Sequence, residues 1–403
     1  MLSNKNYKKK QKTNLKTLTL HSNCPISLAD INDAYNNELV LELSNETLEK
    51  MAKARNLLDH MLNQGQKIYG VNTGVGKLAS KVIDKNAYLS LQKNIIFSHA
   101  AGTGKPLEEK VLRILLLLKI KSLSLGYSGA SPDLVLFLKQ LFNLGLYPIV
   151  PEQGSVGASG DLAPLAHLSL WFLHEGEMSY RKKIKPCQFW FEKFHLTPPT
   201  LQAKDGLALI NGTQVSTAIT LSSLIEIKKL LELAIRAAAL NLIAGSGSFA
   251  PFDLKIHTVR NQPGQQKIAE IFNLILEKTL PYQGKRVQDP YSFRCIPQVL
   301  GACLDQITYA ETILLNEANS VTDNPLIFVE TSEILSGGNF HAEPIAFAAD
   351  ALAIATAEIG SLAERRINFM VDENLSGLSA FLAKIPGLHS GLMLAHVTAT
   401  ALV

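Results

Sequence analysis

QVSTAITLSSLIEIKKLLELAIRAAALNLI, residues 214–243, decides the fold class. It reads as one long helix whose Ala-rich distal half lets a neighbouring helix approach closely. Further helices follow from the same periodicity on either side. LEEKVLRILLLLKIKSLSL, 107–125, places leucine and isoleucine around most of the helix, so it is expected to be buried on more than one side. Residues 134–145 add another, and EPIAFAADALAIATAEIGSLAERR, 343–366, has Pro344 at an early helical position and a basic end, both favourable there. Strand-like alternation is scarce, and 325–335, PLIFVETSEIL, is expected to be a short hairpin. The chain therefore reads as mainly α, a bundle of long antiparallel helices joined by Gly-rich loops.

Composition narrows the class. The 403 residues are 47% hydrophobic and 18% charged, enough to bury a sizeable core. The net charge of +4 owes its sign largely to residues 1–16, which hold six lysines and no acid. That segment reads as a solvated tail; without aromatic or Arg-rich patterning, nucleic-acid binding is not expected. The rest is expected to divide into an N-terminal domain, 17–200, and a central helical domain, 201–403. The four cysteines form no CxxC pair, so neither a zinc ribbon nor a disulfide scaffold is indicated. The N-terminus has no apolar signal region, and the uncharged stretches 206–225 and 385–403 carry too many polar residues to span a bilayer. A cytoplasmic protein without a membrane partner is expected.

Between the helices lie loops dense in Gly, Asn and Ser: 69–78, 97–107, 209–216, 287–298 and 335–344. Several end where a helix begins, which suits them to stabilising an anion. GSVGASGDLAPLAHL, 154–168, spends three glycines in seven residues before Asp161 and an apolar helix start. One reading is a flexible loop with an Asp-capped helix. The other makes the backbone the reagent. The amide nitrogen of Gly160 attacks the carbonyl carbon of Ala158, and two waters leave, one from ring closure and one from Ser159. The product is an imidazolone bearing an exocyclic methylene. Ala and Gly keep the reacting atoms approachable, and Ser supplies the leaving hydroxyl.

Other chemistries match poorly. The 69–78 loop fits neither phosphate-binding glycine pattern. There is no HExxH, and His99, His167 and His341 have no companions at metal-ligand spacing. Ser159 lacks the GxSxG frame of a hydrolase elbow.

YGVNTGVGKLAS, SHAAGTG, GSVGASGDLAPLAH, GLALINGTQVSTA, QDPYSFRCIPQVLGA, SVTDNPLIF and SGGNFHAEPIA occur in that order. With them the chain resembles the aromatic amino-acid ammonia-lyases from about residue 17 to its last residue, and SHAAG and GGNFHAEP resemble the histidine branch. The resemblance implies non-oxidative elimination of ammonia from L-histidine to trans-urocanate, on a 4-methylidene-imidazole-5-one (MIO) formed from Ala158, Ser159 and Gly160, with no metal and no nucleotide. It implies Tyr69 as the base for a β-proton, which requires nearby positive potential to lower a phenol pKa of about 10. Arg294 would pair with the substrate carboxylate. Asn211, Gln288 and Tyr291 would orient MIO and substrate, Phe340 would pack on the ring, and His99 would contact the imidazole. The plain alternative for each is a loop-stabilising residue.

A homotetramer is also implied, and the apolar length of 214–243 and 343–366 agrees with it. Family members continue past LAHVTATALV into a helical region carrying a pocket glutamate. Residues 392–403 read as the opening turns of a buried apolar helix, so poor solubility and weak activity are expected of this chain. Two other readings stand beside the leading one: an inactive or assembly-only homologue, and a lyase or aminomutase for another aromatic amino acid.

Overall fold

The computed structural model describes residues 15–277 and 286–403. Residues 1–14 of the expected tail lie outside this range. Lys16 opens the Lys16–Leu20 strand, and its Nζ reaches Asp30 Oδ1 at 2.8 Å and Asp33 Oδ2 at 3.0 Å. Lys16 thus belongs to the fold and not to a tail.

Two compact units divide the chain, Met1–Ser222 with Ile313–Ala346, and Ser223–Thr312 with Phe347–Val403. The division falls inside helix Gln214–Ala244, after Ser222, where 200/201 was expected; the early residues of that helix, Thr217, Ala218 and Leu221, are buried and belong to the first unit.

The first unit is built on helix Glu109–Ser124, whose Leu115, Leu116, Leu117 and Ile120 are fully buried. Each such side chain contributes about 1.5–3 kcal/mol over leaving it in water. The leucine spread predicts burial on more than one side, and the burial, which runs through Val111–Ser124, also takes in three cations, each of which finds acceptors. Arg113 donates to the carbonyls of Ala34 and Leu39 and to the Tyr147 hydroxyl. Lys121 donates to the carbonyls of His21 and Cys24, both at 2.9 Å. Lys119 is taken up below.

Helix Leu28–Tyr35, begun by a Ser27–Asp30 capping box, packs on this central helix, as does Pro132–Leu144, which starts with Pro and stops at Gly145 (φ +72°). The described strands are short. Lys16–Leu20 pairs in parallel with Leu39–Leu43, and Thr103–Pro106 pairs with Pro151–Gln153. Leu146–Pro148, Glu177–Tyr180 and Lys183–Pro186 form an antiparallel sheet, and Leu326–Phe328 pairs with Glu333–Leu335 as the expected hairpin.

The second unit contains helices Leu254–Arg260 and Pro263–Leu276, which pack on each other, and most of the long helices Ile296–Ala318 and Glu343–Val371. Glu343–Val371 is long and apolar enough to cross a membrane by length and composition, although it carries Asp350, Glu358, Glu364, Arg365 and Arg366. The helix expected near the C-terminus forms at Met393–Ala401, but it is not buried. Leu394, Val397 and Leu402 are more than half exposed, because no described element packs over that face.

Candidate active site

The glycines of 154–160 answer a packing demand. Gly154, Gly157 and Gly160 all have positive φ, at +146°, +71° and +80°. At Gly160 the constraint is twofold: a Cβ would also stand 2.8 Å from the Gly212 carbonyl oxygen and 3.0 Å from its nitrogen. Ala158 and Gly160, both small, flank Ser159 in the turn that this backbone makes.

Asp161 is fully buried, yet it does not cap the helix Leu162–Ser169 that follows, contrary to the Asp-cap reading. Its carboxylate instead accepts from Ser155 Oγ at 2.7 Å, Ser216 N at 2.8 Å and Ser216 Oγ at 2.6 Å. Its own backbone N–H donates to the Gly212 carbonyl at 2.8 Å. The loop is therefore fastened to the start of helix Gln214–Ala244.

Ser159 opens into a cavity of about 430 Å³ within the first unit, which Tyr69, His99, Asn211 and Phe340 also line. Ile95, Leu162, Leu207 and Ile210 form its apolar wall. Tyr69 and His99 are each held by a backbone group. The Gly76 N–H donates to the Tyr69 hydroxyl oxygen at 2.8 Å. The loop bearing Tyr69 is braced by Asn72, which bonds Ile68 N and Gln66 O, and by Gln92, which bonds Gly70 O and Leu207 N. His99 Nδ1 lies 2.7 Å from the Ile95 carbonyl, an arrangement that assigns the ring proton to Nδ1 and leaves Nε2 the acceptor. Asn211 ends helix Asp205–Ile210, and its Oδ1 is buried without a hydrogen-bond partner among the described residues.

Gln288, Tyr291 and Arg294 are grouped in the second unit. Arg294 Nε donates to the Asp289 carbonyl at 3.0 Å, and its guanidinium lies 4.3 Å from the Tyr291 ring centre. With the Gln288 amide oxygen turned toward it, that oxygen accepts from Nη2 at 3.2 Å and Nη1 at 3.1 Å. Asp289 in turn accepts from Ser248 N at 2.5 Å and Arg286 at 3.2 Å. A separate open groove of about 680 Å³, beside Phe249 and Leu276, holds none of the expected residues.

Several residues that matter here carry no motif signal. Behind Asn211 lies a buried polar cluster. Lys119 Nζ donates to the Asn211 carbonyl at 2.7 Å, and Gln214 Nε2 donates to Thr322 Oγ1 at 2.7 Å. Lys204 Nζ and Ser128 Oγ both reach Asp323 Oδ2 at 2.5 Å. Thr213 Oγ1 donates to Glu317, whose carboxyl burial pushes above the usual range. The available hint was a charged residue inside an apolar run, as at Lys119. No cluster of three or more metal-ligating side chains occurs among the described residues.

The model of the aromatic amino acid lyase family matches residues 26–403. A histidine ammonia-lyase of Shewanella woodyi is 49% identical over 383 residues, 94% of this chain and 75% of the relative. The crystal structure of histidine ammonia-lyase from Trypanosoma cruzi superposes with a TM-score of 0.88 at 37% identity, covering 96% of this chain and 73% of that one. The phenylalanine aminomutase of Pantoea agglomerans superposes at 0.90 with 30% identity, over 96% and 78%. On this match in sequence and structure, the chain belongs to the aromatic amino acid lyase family.

Proposed function

We propose that the protein is a carbon–nitrogen lyase that eliminates ammonia from L-histidine to give trans-urocanate. The observation that carries this reading is the convergence of Ser159, Tyr69, His99 and Asn211 on one cavity, in a chain about half identical to a histidine ammonia-lyase. The family is in general MIO-dependent. The residues present fit that group: Ala158 and Gly160 are small, Gly160 has a left-handed backbone (φ +80°), and Asn211 Oδ1 is an unpartnered buried acceptor on a residue lining the same cavity as Ser159. We assign MIO formation to Ala158, Ser159 and Gly160. When formed, it supplies the electrophile that turns the substrate amine into a leaving group.

The remaining chemistry falls to side chains. Acting as the phenolate, the Tyr69 oxygen, to which the Gly76 N–H donates, takes the proton from the substrate β-carbon and becomes the phenol. The electron pair of that C–H bond becomes the new double bond as the C–N bond breaks. The His99 Nε2 acceptor suits the N–H of an imidazole ring. Phe340 and the apolar wall exclude water around that ring. The family resemblance gives Arg294, braced by Gln288 and Tyr291 in the second unit, the role of pairing with the substrate carboxylate; a fixed guanidinium fork matches a carboxylate as an ammonium cannot.

A cytoplasmic homotetramer fits this reading. Leu233, Leu240, Phe347 and Ile354 are each at least 60% exposed on the long helices of the second unit, a surface that association would cover. Sedimentation at micromolar concentration tests it, and a monomer would exclude it. A lyase or aminomutase for a phenyl or phenol side chain is the competing reading, favoured by the aminomutase likeness and the apolar wall. Incubation of the purified protein with L-histidine, L-phenylalanine and L-tyrosine separates them. Urocanate and ammonia from L-histidine alone are expected, and both vanish in Ser159→Ala, which lacks the hydroxyl to lose. Turnover of L-phenylalanine or L-tyrosine in preference to L-histidine would overturn the assignment.

A further inference from the structure

We propose that Lys119 is a positioning residue for this reaction: from the apolar helix Glu109–Ser124 its Nζ grips the carbonyl of Asn211, and so sets where the Asn211 amide stands at the cavity beside Ser159. The inference rests on the reading of Ser159 and Asn211 given above.

Its basis is the placement of one cation. Lys119 is 1% exposed and surrounded in sequence by leucine and isoleucine, a position where an apolar side chain would cost nothing to bury. Its ammonium instead ends at the corner where helix Asp205–Ile210 gives way to helix Gln214–Ala244, 2.7 Å from the Asn211 carbonyl and 3.4 Å from Gln214 Oε1. That corner has no slack. Gly212 has φ +126°, and a Cβ there would stand 2.5 Å from Gln214 Oε1 and 2.9 Å from Thr322 Oγ1. The Gly212 carbonyl receives Asp161 N, and the Gly212 backbone lies against Gly160. One lysine therefore fixes the residue that links the Asn211 side chain, facing the cavity, to the turn supporting the Ser159 segment.

The electrostatics agree. Burial lowers the Lys119 pKa to about 7, with Lys204 acting in the same direction and Asp323 and Asp161 opposing. A buried amine with a backbone carbonyl at its tip and a side-chain amide oxygen beside it is held in one place, which is what positioning requires. Nζ donates to the carbonyl in either protonation state.

The test is a double-mutant cycle with Lys119→Met, Asn211→Ala and the pair, read as kcat, KM for L-histidine, melting temperature and the near-ultraviolet absorbance of the MIO ring. Met keeps the length and volume but donates nothing. If Lys119 acts through Asn211, Lys119→Met lowers kcat at least tenfold with KM within about threefold. The pair is then no slower than Asn211→Ala alone. Multiplying effects in the pair, or a parent-like kcat and ring absorbance in Lys119→Met, overturn the proposal while the parent's urocanate production stands. A parent that releases no ammonia from L-histidine would instead remove the reading beneath it, and the proposal with it. Should Lys119→Met fail to fold, Lys119→Gln, polar but too short to reach, enters the same cycle with the same outcomes.

Discussion

Asp161 and Ser216, 55 residues apart, are joined twice: the Ser216 backbone N–H and hydroxyl donate to the two Asp161 oxygens at 2.8 and 2.6 Å. The carboxylate thus anchors the Ser159 loop to the first turn of the longest helix and stabilises that turn's unpaired N–H groups. Removing the fully buried carboxylate leaves the part-buried donors of Ser155 and Ser216 without their acceptor. Asp161→Ala is expected to lower the unfolding free energy by about 2–4 kcal/mol, against about 1 kcal/mol for Ser216→Ala, which keeps the backbone bond. Urea denaturation measures both, and equal costs would show that the carboxylate is not the anchor.

Gly160→Ala tests whether the tight backbone serves the chemistry. A left-handed Ala costs about 1–2 kcal/mol, and here its Cβ would also press on the Gly212 carbonyl at 2.8 Å. The backbone must shift, straining the Asp161 N–H bond to the Gly212 carbonyl. The expected variant is folded but less stable, with the MIO absorbance strongly reduced. Parent-like absorbance would mean that ring closure does not depend on this conformation.

Much of the helical frame was legible because burial leaves a period. The helix read at 214–243 runs Gln214–Ala244, and the apolar run at 107–125 became Glu109–Ser124. The glycines at 154–160 were equally visible, but their reason was not, since the backbone that excludes a Cβ at Gly160 comes from Gly212. Asp161 shows the same limit: a local pattern suggested a cap, whereas its partner lies 55 residues away on another helix. Lys119 is the extreme case. Periodicity records that a helix face is buried and is silent about which carbonyl a buried cation will meet.

Arg294→Lys isolates the carboxylate fork. The guanidinium is held by the Asp289 carbonyl, the Gln288 amide and the Tyr291 ring, so its orientation is set before a ligand arrives. An ammonium keeps the charge and loses the paired geometry. A fall in kcat/KM of about 10–100-fold is expected, equivalent to about 1.4–2.8 kcal/mol, with the melting temperature little changed. Unchanged kcat/KM would remove Arg294 from substrate binding.

His167 supplies the clearest pH dependence of stability. The Gly102 N–H donates to its Nε2 at 3.0 Å, so the ring must be unprotonated there and carry its hydrogen on Nδ1. This contact ties helix Leu162–Ser169 to the loop that follows His99. Burial lowers the His167 pKa below its ordinary 6.5. Because the folded value is the lower one, the folded state binds fewer protons than the unfolded chain in this window. The stabilisation is therefore complete above about pH 6.5 and is lost as pH falls through the folded value. Gly102 gives little room for the ring to swing aside, since a Cβ there would lie 3.2 Å from His167 Cδ2. His167→Gln keeps an acceptor but removes the titration, so its melting temperature should fall less steeply than the parent's between pH 7 and pH 5. Superimposable acid limbs for the two proteins would show that the ring does not couple protonation to folding.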